Sequence, residues 1–214
     1  DAYEGLVRRL NIYMKNELYG NAIEAHRNGK HERAIMLFNK ILEGENIENE
    51  SIIYYNLANV YADLGEYKIA ISNYHKSING DDKVASVWYN LGNAYLEIND
   101  YENAIKNLEK CVNLNSEYVK AWVNLGVIYV ELNEYEKAKL KFAECLKLDN
   151  KFHFAHYNLA WIYAKEKNID KMKIYLDNLV DIDQDDVDYE ELVYSEIIFE
   201  EFFDKNFFRS IFNR

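Results

Sequence analysis

Trp88-Tyr89-Asn90-Leu91-Gly92 decides how this chain folds, because it recurs. Tyr54-Tyr55-Asn56-Leu57-Ala58, Trp122-Val123-Asn124-Leu125-Gly126 and His156-Tyr157-Asn158-Leu159-Ala160 repeat it at intervals of 34 residues. Tyr61, Tyr95, Tyr129 and Tyr163 follow in step, and then Ala70, Ala104, Ala138 and Met172. A fixed period of roughly 20–50 residues is the signature of a repeat array, in which each copy is one supersecondary unit stacked on its neighbours.

The bulk composition agrees with helical copies. The 214 residues contain no proline and 8 glycines, too few breakers for a sandwich or barrel. With 49% hydrophobic and 15% aromatic residues the chain has ample material for a core. Its longest apolar runs, such as Ile197 to Phe199, are a few residues long, far short of the roughly 20 needed to cross a bilayer. Two cysteines are no disulfide framework, and no basic-apolar signal segment opens the chain, whose first residue is Asp rather than Met and suggests trimming; a cytoplasmic location is expected. The net charge of -12 argues against nucleic acid, which calls for clustered Lys and Arg. Eleven acidic residues and no basic one lie between Asp181 and Asp204, leaving 26 acids against 25 bases elsewhere, so the tail holds nearly all of the negative charge.

The pattern of Trp, Leu-Gly, Tyr and Ala over 34 residues resembles the tetratricopeptide repeat family. The resemblance implies an all-α fold, a right-handed superhelix of helix-turn-helix repeats. Five repeats are expected, at 15–50, 51–84, 85–118, 119–152 and 153–186. The first is fainter and rests on Ala22, Gly29, Ala34 and Phe38, with a two-residue insertion around Gly44 to Glu50. Small residues at Ala58, Gly92, Gly126 and Ala160 would let the two helices of a repeat cross closely, and Tyr61, Tyr95 and Tyr129 would fill the space between repeats. The proline that the family usually places at the end of the second helix is replaced by Asp82, Ser116, Asn150 and Gln184. A helix over residues 1–14 is expected to cover the first repeat, and an acidic, Phe-rich helical segment at 187–214 to follow the last.

The family lines a groove with positions 2, 5, 6, 9, 12 and 13 of each repeat. Mapped onto this sequence, position 6 gives Asn56, Asn90, Asn124 and Asn158, position 9 gives Asn59 and Asn93, and position 5 gives Tyr55, Tyr89 and Tyr157, with Val123 in the fourth repeat. A carboxamide offers one acceptor and two donors and can bond both the N–H and the C=O of a peptide backbone. The asparagines are therefore either a backbone-reading ladder or consensus residues of the repeat without a ligand. Position 13 brings Asp63, Glu97 and Glu131 onto successive first helices, as an acidic edge suited to a neutral or basic peptide or as solvated helix ends. Asn59, Asn90 and Lys120 match part of the family's clamp for carboxylate-ended chaperone tails, but Tyr55 and Asn124 stand where two of its cations belong. Loss of those cations removes most of the attraction for a carboxylate.

Other constellations do not amount to chemistry. Cys111 and Cys145 are one repeat apart at a packing position, beyond disulfide reach. Asp181, Asp183 and Asp185 begin like a calcium loop, but Asp186 replaces the turn glycine and Leu192 the bidentate Glu. His153 and His156 are three apart, yet one is at a variable position and the other replaces Trp88 and Trp122. With no phosphate loop and no nucleophile motif, neither catalysis, metal nor cofactor is expected.

The function expected from sequence is a non-enzymatic scaffold that holds a peptide segment of a protein partner in its groove. The alternatives are an assembly subunit that forms a homo-oligomer through its C-terminal segment or outer face, and a regulatory piece of a larger protein. The C-terminal segment itself has three readings: a cap on the last repeat, a filler of the groove, or a link between two molecules.

Overall fold

The computed structural model describes the backbone of residues 2–44 and 49–180 and the side chains of 15–44 and 49–179. The 187–214 segment, the Asp181–Asp185 run and most of the expected insertion at 44–50 lie outside these. The described residues form ten helices and no strand. They are α1 (Ala2–Arg27), α2 (His31–Leu42), α3 (Glu50–Asp63), α4 (Tyr67–Gly80), α5 (Ala85–Glu97), α6 (Tyr101–Leu114), α7 (Val119–Glu131), α8 (Tyr135–Leu148), α9 (His153–Lys165) and α10 (Ile169–Val180). Residues 2–14 and the opening helix of the first repeat are one uninterrupted helix, α1, so the expected boundary at 14/15 falls inside it.

The chain divides into two compact units, Asp1–Asn115 and Ser116–Arg214. In the first, α1 packs on α2, α3 on α4 and α5 on α6, and α2 and α4 also meet the helix that follows them. In the second, α7 packs on α8, α8 on α9 and α9 on α10. Within each unit, helices therefore pack against their neighbours in sequence, as a repeat array requires.

Both turns of the repeat have a readable cause. Within each repeat the two helices are joined through a residue in the left-handed region: Gly29, Gly65, Asn99, Asn133 and Lys167, with φ between 58° and 75°. The next N–H then reaches back five residues, as Lys30 N–H does to the Ala25 carbonyl at 2.8 Å and Glu134 N–H to the Tyr129 carbonyl at 2.8 Å. This satisfies helix-end carbonyls that would otherwise be orphaned. Between repeats the missing proline is replaced by a side-chain clasp. The Trp88 indole donates to the Asp82 carbonyl at 2.8 Å, and the Trp122 indole to the Ser116 carbonyl at 2.9 Å. His156 Nε2 occupies the same place, 2.8 Å from the Asn150 carbonyl, so its ring stands in for the indole as donor.

In the first unit one core cluster follows another. Ala22, Ala34, Phe38, Ile41, Ile53, Leu57 and Val60 belong to one cluster, and Ala58, Ala70, Tyr74, Val87, Leu91 and Ala94 to the next. Tyr61 packs against both, which places it between consecutive repeats. Gly92 and Gly126 lie at the helix crossings: a Cβ on Gly92 would come within 2.7 Å of Leu108, and one on Gly126 within 2.6 Å of Phe142.

Candidate functional site

The first helices α1, α3 and α5 bring positions 5, 6 and 9 of successive repeats together. Asn56 Nδ2 donates to the Tyr19 hydroxyl at 3.1 Å and to the Ile52 carbonyl one turn back at 2.8 Å. One repeat on, Asn90 Nδ2 donates to the Tyr55 hydroxyl at 3.2 Å and to Asn59 Oδ1 at 3.0 Å. Asn59 Oδ1 also accepts from the Tyr74 hydroxyl at 2.6 Å. Tyr74 is buried, and that burial, with Tyr55 and Asp63 adding to it, pushes its phenol pKa up, so it stays a donor at any ordinary pH.

These bonds fix what each carboxamide can still do. Both amide hydrogens of Asn56 and of Asn90 are used, which leaves their Oδ1 atoms as acceptors. The Oδ1 of Asn59 already accepts twice, which leaves its amide as donor. The asparagines are thus not interchangeable rungs: Asn56 and Asn90 keep an acceptor, and Asn59 keeps its amide donors. In the second compact unit Asn158 Nδ2 donates to the Phe154 carbonyl at 2.7 Å, and the position-5 residue that precedes it, Val123, has no hydroxyl to add.

The position-5 tyrosines have a use that sequence did not show. Tyr19 and Tyr55 each hold the asparagine of the following repeat by its amide. Tyr89, Asn93, Asn124 and Tyr157 are partly buried, and Lys120 is exposed. Of the position-13 acids, all exposed, Asp63 bonds His26 Nε2 at 2.7 Å, and Glu97 faces Tyr67, whose pKa its charge raises. Two of the position-2 residues, Ile52 and Phe154, were passed over in the sequence and are 47% and 53% exposed. A bulky apolar side chain at a groove position was the available signal.

Cys111 and Cys145 are unbonded and fully buried, and burial pushes their thiols up to about 11 and about 12, Asp149 adding to the shift at Cys145. Two open surface depressions, one lined by Asn39, Tyr54, Asn73 and Lys76 and the other by Asp82, Trp88 and Lys110, involve none of the asparagine network. No helix among the described residues is long and apolar enough to cross a membrane.

The tetratricopeptide repeat pattern matches residues 49–117 and 83–151 and, in a second form, 155–186. The crystal structure of YrrB, described as a TPR protein with an unusual peptide-binding site, has a TM-score of 0.67 at 25% identity over 79% of this chain and 86% of that one. MamA from Desulfovibrio magneticus RS-1 gives 0.71 at 21% identity over 78% of this chain and 94% of that one. A tetratricopeptide repeat protein from Parabacteroides merdae gives 0.72 at 18% identity over 93% and 73%. No curated protein matches the sequence.

Proposed function

Because the chain belongs to the tetratricopeptide repeat family, we propose that it is a non-enzymatic adaptor that holds an extended peptide segment of a protein partner on the first helices α1, α3 and α5 of its first unit. The observation that carries this reading is the Tyr55–Asn90–Asn59–Tyr74 network, which orients an acceptor and a donor on one face with a buried phenol behind them. An extended backbone presents N–H and C=O groups alternately, and this pair answers one of each without reading side chains. Ile52 beside it offers an apolar contact, and Asp63 and Glu97 favour a neutral or basic segment over an acidic one. The peptide-binding site named for YrrB supports the same class of ligand. Two unbonded cysteines suit a reducing cytoplasm.

The test is to capture the partner with the intact chain, then measure its affinity for wild type and for Asn59→Ala/Asn90→Ala by calorimetry. Two lost hydrogen bonds at about 0.5–1.5 kcal/mol each should weaken binding by about 5- to 150-fold. Unchanged affinity in a double variant with wild-type circular dichroism sinks the groove reading.

A further inference from the structure

The first repeat departs from the others at two places. Position 12 is Ala62, Leu96, Val130 and Ala164 in the later repeats, and position 17 is Tyr67, Tyr101, Tyr135 and Ile169; in the first repeat they are His26 and His31. Packing of the repeat does not call for imidazole at either position. The left-handed turn at Gly29 folds the start of α2 back onto the end of α1 and sets the two rings edge to face, 5.8 Å apart. Asp63, the last residue of α3, closes the group with Oδ2 2.7 Å from His26 Nε2. One donor atom from each of the three lies within 4.8 Å of the others, an arrangement not found elsewhere among the described residues. His31 adds an independent sign: its Nδ1 is buried and has no hydrogen-bond partner, a state that costs free energy.

We propose that His26, His31 and Asp63 form a binding site for a divalent transition-metal ion of the zinc class. Two neutral imidazoles and a carboxylate suit Zn²⁺, Co²⁺ or Ni²⁺ and do not suit Mg²⁺ or Ca²⁺, which take oxygen ligands. Donors at roughly 2.0–2.2 Å from a tetrahedral zinc are about 3.4 Å apart, so the 2.7 Å contact of Asp63 with His26 must part slightly and the wider separations, none above 4.8 Å, must close by at most about 1.4 Å. The Asp63 side chain is 57% exposed and can supply that movement. His26 and His31 are held by the short turn and need little reorganisation. The ion would tie together the ends of α1, α2 and α3, and three protein ligands leave a coordination position open to water or to a side chain of a bound molecule.

The experiment is titration of the full chain with Zn²⁺ in excess Mg²⁺, which occupies weak carboxylate sites, together with Co²⁺ substitution read by visible absorption. We expect one equivalent of Zn²⁺ to bind, the thermal midpoint to rise as the ion binds the native state, and Co²⁺ to give nitrogen-ligated d–d bands. His26→Gln and His31→Gln should each weaken binding by at least the ~10–100-fold that loss of an outer-shell partner costs. If His31→Gln unfolds, the more exposed Asp63→Asn gives the same readout. His153→Gln should leave Zn²⁺ affinity and the Co²⁺ spectrum unchanged. The proposal is overturned if folded variants at these three positions keep wild-type affinity and Co²⁺ spectrum, if binding is lost in His153→Gln instead, or if the wild type takes up no Zn²⁺ against Mg²⁺.

Discussion

At the scale of single residues, the five left-handed turn positions carry the same backbone geometry on unequal chemistry. Gly29 and Gly65 adopt it without penalty, and Asn99 and Asn133 tolerate it, but Lys167 at φ 58° has a Cβ crowding the following carbonyl. That crowding costs roughly 1–2 kcal/mol, against roughly 0.5–1 kcal/mol for the greater freedom glycine has when unfolded. Lys167→Gly should therefore stabilise the chain by about 0.5–1 kcal/mol in urea titration. The same change at Asn133 should gain less, and an equal gain at both would mean that Lys167 is not strained. The cysteines give a second residue-scale expectation. With its pKa pushed up to about 11, Cys111 has roughly a hundredfold less thiolate at pH 8 than an ordinary thiol, before its lack of access is counted. Native protein should leave Cys111 and Cys145 unlabelled by a disulfide reagent over the time that urea-unfolded protein reacts completely; fast native labelling would show that α6 or α8 opens readily.

At the scale of helices, close approach at the crossing points separates two glycines that look alike in sequence. A Cβ at Gly92 would come within 2.7 Å of Leu108 and 3.3 Å of the Ala104 carbonyl, whereas one at Gly126 would meet three atoms of the Phe142 ring at 2.6–2.9 Å. Alanine gains about 1 kcal/mol of helix propensity over glycine at either site, but overpacking a core costs about 1–3 kcal/mol. The buried, rigid ring makes the cost win at Gly126, so Gly126→Ala should destabilise by about 1–2 kcal/mol and Gly92→Ala by less. Phe142→Leu in the Gly126→Ala background should recover part of the loss, and a double variant no better than additive would count against the clash. This contrast marks what sequence could and could not tell. Periodicity made the repeats legible, because small and large residues at fixed intervals reflect packing that every copy shares. The clasp from Trp88 to Asp82 and the amide held by Tyr55 were not legible, since they depend on where a side chain points across a repeat boundary. The asparagine column was visible as a column, but the division into acceptors and donors needed the hydrogen bonds. The grouping of His26 and His31 with Asp63, which sequence placed only on the acidic edge, was not legible for the same reason: spacings of 5 and 32 residues match no local ligand motif and become a cluster only when α1, α2 and α3 meet.

At the scale of the whole molecule, charge and packing are assigned to different parts of the chain. The 11 acids between Asp181 and Asp204 hold most of the net charge, while residues 1–180 carry 26 acids against 22 bases, a balance of -4 spread over ten helices, so repulsion among the helices is modest. Stability of the helical stack should then respond to pH mainly through groups that folding takes out of water. Partial desolvation lowers the pKa of His75, which stays exposed at the surface with its Nε2 3.0 Å from the Tyr95 hydroxyl. Burial also lowers that of His153, outweighing the opposite pull of Asp149. For a lowered histidine the unfolded chain binds its proton first as pH falls, so the unfolded state carries more protons and stability rises with pH through that window. The penalty is absent well above the ordinary histidine pKa of about 6.5, grows as pH drops below it, and is complete once the folded residue also protonates. The thermal midpoint should hold level from pH 8 to 7 and decline from about 6.5 toward 5, above the range where most carboxylates titrate. His75→Gln removes one of the two contributions and should make that decline shallower while leaving the value at pH 8 little changed. A decline of the same steepness in the variant would mean that His75 is as well solvated in the folded chain as in the unfolded one, and that the contact between α4 and α5 at Tyr95 does not exclude water.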